Sequence, residues 1–180
     1  MKARMTPMGP DVETREFLGT VPFFADALDA GELDALATGT RQTEFDRAAV
    51  IVRQHDLGDS MFAILRGTAE VSTRHAGTAS HVATLHPGDI FGEMSLMTGA
   101  RRSATVTAVG PVVALEIGRS ALQPILAASP ALFDRFAAVL DKRRSELDRI
   151  HGDGFWNLYG LPRDQIAPAI RSFFTLPRRG

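Results

Sequence analysis

The sequence predicts a mainly β domain with flanking α-helices, and three observations lead there. Between Arg41 and Ile117 the chain runs in brief segments rich in Val, Ile, Phe and Thr, each closed by a glycine-bearing turn, the pattern of successive strands in a sandwich or barrel. On both sides of that region the apolar residues switch to three- and four-residue spacing, which marks helices. The composition of the 180 residues, 44% hydrophobic and 23% charged, is that of one globular core needing no disulfide or metal to fold.

Taken in order, residues 1–13 are expected as a flexible N-terminus, and Thr14 to Leu18 begins a short helix. A second helix follows Asp29, with Leu33, Leu36 and Ala37 at helical spacing. Strands are expected near Gln42–Phe45, Val50–Arg53, Ser60–Arg66, Thr68–Arg74, His81–Leu85, Ala104–Ala108 and Val112–Ile117. Turns at Leu57-Gly-Asp, Arg66-Gly, Ala76-Gly, His86-Pro-Gly-Asp and Val109-Gly-Pro separate them. One stretch breaks the rhythm: Phe91 to Ser103 holds a single helical turn and then a loop with two adjacent arginines. Beyond Ile117, Arg119–Ala127 and Pro130–Ile150 read as helices, with Pro130 suited to a first turn. In the longer one Leu132, Phe136, Leu140, Leu147 and Ile150 form an apolar stripe interrupted by one cation, Arg143. The expected domain is therefore 14–150, with strands over about 41–118 and helices over 119–150. The glycine-, proline- and aromatic-rich tail, 151–180, contains a short helix from Asp164 to Phe174 and either folds back on the barrel or contacts a partner. No repeat is visible.

Several classes are disfavoured. Twenty Lys and Arg against twenty-one Asp and Glu give a net charge of −1, so no global basic field gathers nucleic acid. The longest apolar runs, such as Ala48–Val52 and Val112–Leu115, fall far short of a bilayer span, and no apolar segment follows Lys2 and Arg4 as a secretory signal requires. The expectation is a chain in water, in the cytoplasm. Cysteine is absent, which removes thiolate nucleophiles and cysteine-ligated metals. The five histidines, His55, His75, His81, His86 and His151, include no His-x-His pair and mostly adjoin turns, against a cupin-type metal site. With no Gly-x-Ser-x-Gly elbow and no Walker-type loop, neither an enzyme nor a cofactor or metal is expected. Phe133, Phe136, Phe155, Trp156, Phe173 and Phe174 read as packing residues rather than a stacking platform for bases.

The informative spacing is Phe91-Gly92-Glu93 followed, nine residues after the glutamate, by Arg102. Alone, such an acid and guanidinium are more often a surface pair. Here Gly92 permits close backbone approach and a helical turn starting near Glu93 presents N–H groups to an anion. Arg102 can bind phosphate oxygens with its planar fork, while Glu93, an acceptor, suits a sugar hydroxyl. Phosphate and hydroxyl together suggest a nucleotide.

This arrangement resembles the phosphate-binding cassette of the cyclic-nucleotide-binding domain family, which includes catabolite activators, regulatory subunits of cAMP-dependent kinase and cyclic-nucleotide-gated channels. The matching residues are Phe91-Gly92-Glu93-Met94-Ser95-Leu96 and Arg102-Ser103-Ala104-Thr105-Val106, with Gly58-Asp59-Ser60 and His86-Pro87-Gly88-Asp89 as further family-like features. Arg101 stands where the family often has proline. The resemblance, over about Phe17 to Ile150, implies an eight-stranded antiparallel β-roll or jelly-roll barrel with N-terminal helices and C-terminal lid helices. It implies that Glu93 accepts the ribose 2′-hydroxyl, Arg102 pairs with the cyclic phosphate, and the amides of Gly92 to Ser95 bind phosphate or ribose. Ser103 sits where the family tunes base choice and leaves cAMP and cGMP open, with cAMP favoured. Arg143 or Arg144 would reach the purine from the lid helix, although Asp141-Lys-Arg-Arg-Ser-Glu equally reads as a solvated face.

The implied function is a switch: a cyclic purine nucleotide, cAMP or cGMP, draws the helix 130–150 across its base, without chemistry. Only thirty residues follow Ile150, too few for the helix-turn-helix of a DNA-binding activator, and no second cassette is found. The reading is a sensory module of a larger protein, similar to the nucleotide domains attached to bacterial membrane channels, or else a stand-alone receptor. The alternative from another class is a degenerate module without ligand that forms a homo-oligomer through the Leu132–Leu147 stripe.

Overall fold

The computed structural model describes residues 4–6, 12–151 and 163–175. Helices α1 (Val12–Thr20), α2 (Pro22–Ala25) and α3 (Ala30–Gly39) follow the short strand β1 (Arg4–Thr6). Asp29 starts α3 with a capping box: its Oδ1 accepts from the Glu32 amide at 2.8 Å, and its own amide donates to Glu32 Oε2 at 2.9 Å. Two N–H groups that a helix start leaves without partners are thereby satisfied. The strands follow as β2 (Arg41–Phe45), β3 (Val50–Val52), β4 (Ser60–Arg66), β5 (Ala69–His75), β6 (Thr78–Leu85), β7 (Ile90–Phe91), β8 (Thr105–Ala108) and β9 (Val112–Gly118). Helix α4 (Glu93–Thr98) interrupts them, and α5 (Arg119–Ala128), α6 (Leu132–His151) and α7 (Ile166–Thr175) complete the chain. The tail residues Phe155 and Trp156, and the side chains of Arg144, Leu147 and Ile150, lie outside the described residues.

The strands make two antiparallel sheets, of order β1-β2-β9-β4-β7 and β3-β8-β5-β6, and among the described residues neither closes into the expected eight-stranded barrel. Three of the four sheet edges, β1, β7 and β3, are strands of two or three residues, while the fourth, β6, has eight. β7 has two residues, and β3 has three, with a register shift between Val50 and Val52 against β8. All seven strands expected from the sequence are present; β1 and β7 are additional.

Two cores explain the sequence texture. Along β4, Met61 and Ala63 face the helices while Phe62 and Ile64 face the second sheet, and β9 divides in the same way, Leu115 and Ile117 against Val112 and Ala114. A sheet buried on both faces carries continuous apolar runs rather than alternation. The stripe of α6 is spent on the helical core, where Leu132, Phe136 and Leu140 are each at most 1% exposed. Among the described residues no helix is long and apolar enough to cross a membrane.

A candidate nucleotide site between the sheets and helix α6

Gly92 carries the chain from β7 into α4 with φ +80°, in the left-handed region that favours glycine. A Cβ there would also stand 2.4 Å from Arg102 Nη1 and 3.1 Å from the Ser60 carbonyl oxygen. Conformation and space both require glycine. Glu93 opens α4, and the loop after α4 returns the chain at Arg102. The two charged residues thus come from opposite ends of one helix and loop, and both are buried, 2% and 6% exposed.

Arg102 is fixed along its whole length. Its amide donates to the Asp56 carbonyl and its carbonyl accepts from the His55 amide, both at 2.8 Å. Nη1 donates to the Gly92 carbonyl at 3.1 Å and Nη2 to Ser60 Oγ at 3.3 Å. Gly58 leaves room for the guanidinium, since a Cβ there would lie 2.2 Å from Arg102 Nε. Arg101 supports the same loop, Nη1 donating to the His55 carbonyl at 2.8 Å. Burial lowers the Arg102 pKa from its ordinary value, and the charges of Asp59, Glu93, Glu116 and Asp56 oppose that shift. A guanidinium stays charged at neutral pH, so the site holds a desolvated cation, the environment in which a charge-assisted bond to an incoming anion is strongest.

Arg143, from the middle of α6, reaches the same place. Its Nε lies 3.2 Å from Glu93 Oε1 and its Nη2 donates to the Ile90 carbonyl at 2.9 Å. The cation that interrupts the apolar stripe therefore joins α6 to Glu93 at the start of α4. Phe91 packs in the intersheet core, stacked on Phe62 at 5.1 Å.

These groups surround a cavity of about 90 Å³. Its lining includes the polar residues Glu93, Ser95, Arg101, Arg102, Ser103 and Arg143, the apolar residues Val52, Val71, Ala83, Leu85 and Val106, and Phe91, Gly92 and Met94. Eight of the nine residues singled out in the sequence thus line one cavity, and the ninth, Arg144, has its side chain outside the described residues. The supports of Arg102, namely His55, Asp56, Gly58 and Ser60, are not legible as part of the site from the sequence, where Gly58-Asp59-Ser60 is their only trace. Among the described residues no cluster of three or more His, Asp or Glu is placed to hold a metal ion.

Comparison with known proteins gives the same direction. Residues 42–129 match the family model described as the cyclic nucleotide-binding domain. A cAMP-dependent protein kinase regulatory subunit of Dictyostelium discoideum is 37% identical over 108 residues, covering 58% of this chain and 33% of that protein. A cyclic nucleotide-gated potassium channel of Mesorhizobium japonicum is 31% identical over 136 residues, covering 76% of this chain and 36% of the channel. The chain spans about a third of the length of these two relatives. A cyclic nucleotide-binding domain of Methylobacillus flagellatus superposes with a TM-score of 0.68 at 25% identity, over 82% of this chain and 86% of that one. Motif, two-sheet architecture and family match coincide: residues 42–129 of this chain match the cyclic nucleotide-binding domain family and contain the cavity-lining motif from Phe91 to Ser103.

Proposed function

We propose that this chain binds a cyclic purine nucleotide in the cavity between the sheets and α6 and acts as a regulatory sensor, without chemistry on the nucleotide. The carrying observation is the pair of buried charged residues, Glu93 and Arg102, that line one cavity from the two ends of α4 and its loop. Arg102 takes the cyclic phosphate with its planar fork, and Glu93 accepts the ribose 2′-hydroxyl. The amides of Gly92 to Ser95 lie in the first turn of α4, where N–H groups have no acceptor within the helix, and they face phosphate or ribose. Phe91 and Met94 hold the apolar side of the cassette, and Ser103, beside Arg102, stands next to the base. The apolar part of the lining suits a purine. cAMP is the favoured ligand and cGMP the second.

Arg143 gives the output. It is bound to Glu93, the group that the ribose needs, so nucleotide and α6 meet at one carboxylate. A ligand that changes that contact shifts α6 by its differential affinity for the two arrangements. Arg144 follows Arg143 on the same helix and is the further candidate for the base. The sensor works in the cytoplasm as part of a larger protein such as a membrane channel; the gated potassium channel among the relatives supports that attachment.

Calorimetric titration with cAMP and then cGMP, repeated on Arg102→Ala, tests the reading. Saturable one-to-one binding, weakened at least tenfold by the substitution, is expected for a buried charge-assisted phosphate contact. No heat and no thermal stabilisation with either nucleotide would overturn it in favour of a ligand-free interaction module.

A further inference from the structure

Helix α7 lies outside the residues matched by the family model, yet it packs against α4 as well as α6. Ile166, Ile170 and Phe174 are buried in the same core as Met94, Leu96 and Met97 of α4. The contact is most specific at Phe173. Gly99 ends α4 in the left-handed region, φ +73°, and a Cβ there would stand 2.6 Å from two carbons of the Phe173 ring. Over the same ring sits the Arg119 guanidinium, with Cζ 4.2 Å from the centroid, and its Nη2 donates to the Phe173 carbonyl at 2.6 Å. Arg119 is 7% exposed. A desolvated cation over a ring, with a charged hydrogen bond to the same residue's backbone, seats Phe173 in one position.

Gly99 is three residues before Arg102 in the chain. The seat of Phe173 therefore fixes the point where α4 ends and the loop to the phosphate-facing arginine begins. We propose that α7 is a built-in strap on the cassette, with Phe173 and Arg119 as positioning residues that hold α4 and its loop in binding geometry. Docking of the strap and binding of nucleotide then favour each other, because the group that orders the loop first removes an ordering cost from the second event. The coupling rests on the nucleotide reading above; the docking does not.

The experiment uses the full chain, unchanged or with Phe173→Ala, and reads two quantities. Calorimetry with cAMP is expected to show affinity at least fivefold weaker in the variant. Hydrogen exchange without ligand is expected to be faster over 93–102 in the variant and unchanged over 60–66, which reports the integrity of β4. In the unchanged chain cAMP is expected to slow exchange over 166–175. Equal affinity together with equal exchange over 93–102 would overturn the strap. Binding that leaves exchange over 166–175 unaltered in the unchanged chain would overturn the coupling. If exchange over 60–66 also rises, Arg119→Lys replaces Phe173→Ala: it keeps the charge, loses the planar fork, and is expected to act in the same direction. Absence of binding to cAMP and cGMP in the unchanged chain would overturn the nucleotide reading and the coupling with it, while exchange over 93–102 would still decide the docking.

Discussion

The Arg143 guanidinium stands 3.2 Å from the Glu93 carboxylate, and this pair ties the long C-terminal helix to the first residue of the cassette helix. The Glu93 side chain is 3% exposed and that of Arg143 28%, so the acid is the partner that suffers if the contact is cut. Arg143→Ala is expected to lower unfolding free energy by about 1–2 kcal/mol, the cost of a buried acceptor losing a charged donor. In urea denaturation, the double variant Arg143→Ala, Glu93→Gln should be less destabilised than the sum of the two single variants.

Two left-handed glycines separate strain from crowding. Gly88 has φ +92° and open space where an added methyl group would stand, whereas at Gly92 the same methyl meets Arg102 and Ser60. Gly88→Ala should cost about 1–2 kcal/mol, the backbone penalty alone. Gly92→Ala should cost more and should also abolish nucleotide binding, because Arg102 must move. Thermal melts and titrations on the two variants check the contrast.

Outside the cavity, Asp29→Ala removes the side-chain acceptor of the capping box of α3 and leaves the Glu32 amide without it. A loss of about 1 kcal/mol is expected, with nucleotide affinity unchanged, since Asp29 has no part in the cavity. Chemical denaturation beside a titration measures both.

Phe136 is fully buried on α6, its ring 5.4 Å from that of Phe23 on α2. Phe136→Ala is expected to cost about 3–5 kcal/mol through lost burial and the cavity left behind. The loss would be read as a lower urea midpoint.

What can be read from sequence divides by range. Helix α3, the seven principal strands and the spacing from Gly92 to Arg102 are local patterns, and local periodicity and turn chemistry carry them. Ile90–Phe91 is too short for any period to show. The period of α6 separates Arg143 from Arg144, placing Arg143 on the apolar stripe, but its partner Glu93 is 50 residues away and no local pattern names it. Sheet order is hidden for the same reason: β9 lies between β2 and β4, and strand signals alone do not distinguish two open sheets from a barrel. The seat of Phe173 depends on Gly99 and Arg119, residues that read separately as a loop glycine and a helix start.

That central place of β9 has a consequence for how the chain is made. Thr43 on β2 and Glu116 on β9 meet although 73 residues separate them, and β4 finds its main partner on the same strand. While the chain emerges from a ribosome, β2 and β4 have no β9 to pair with until residue 118 is clear. For that interval the edge of β4 that β9 later covers is open to other chains. Yield in the cell should therefore respond to translation rate and to holding chaperones more strongly than equilibrium stability would suggest.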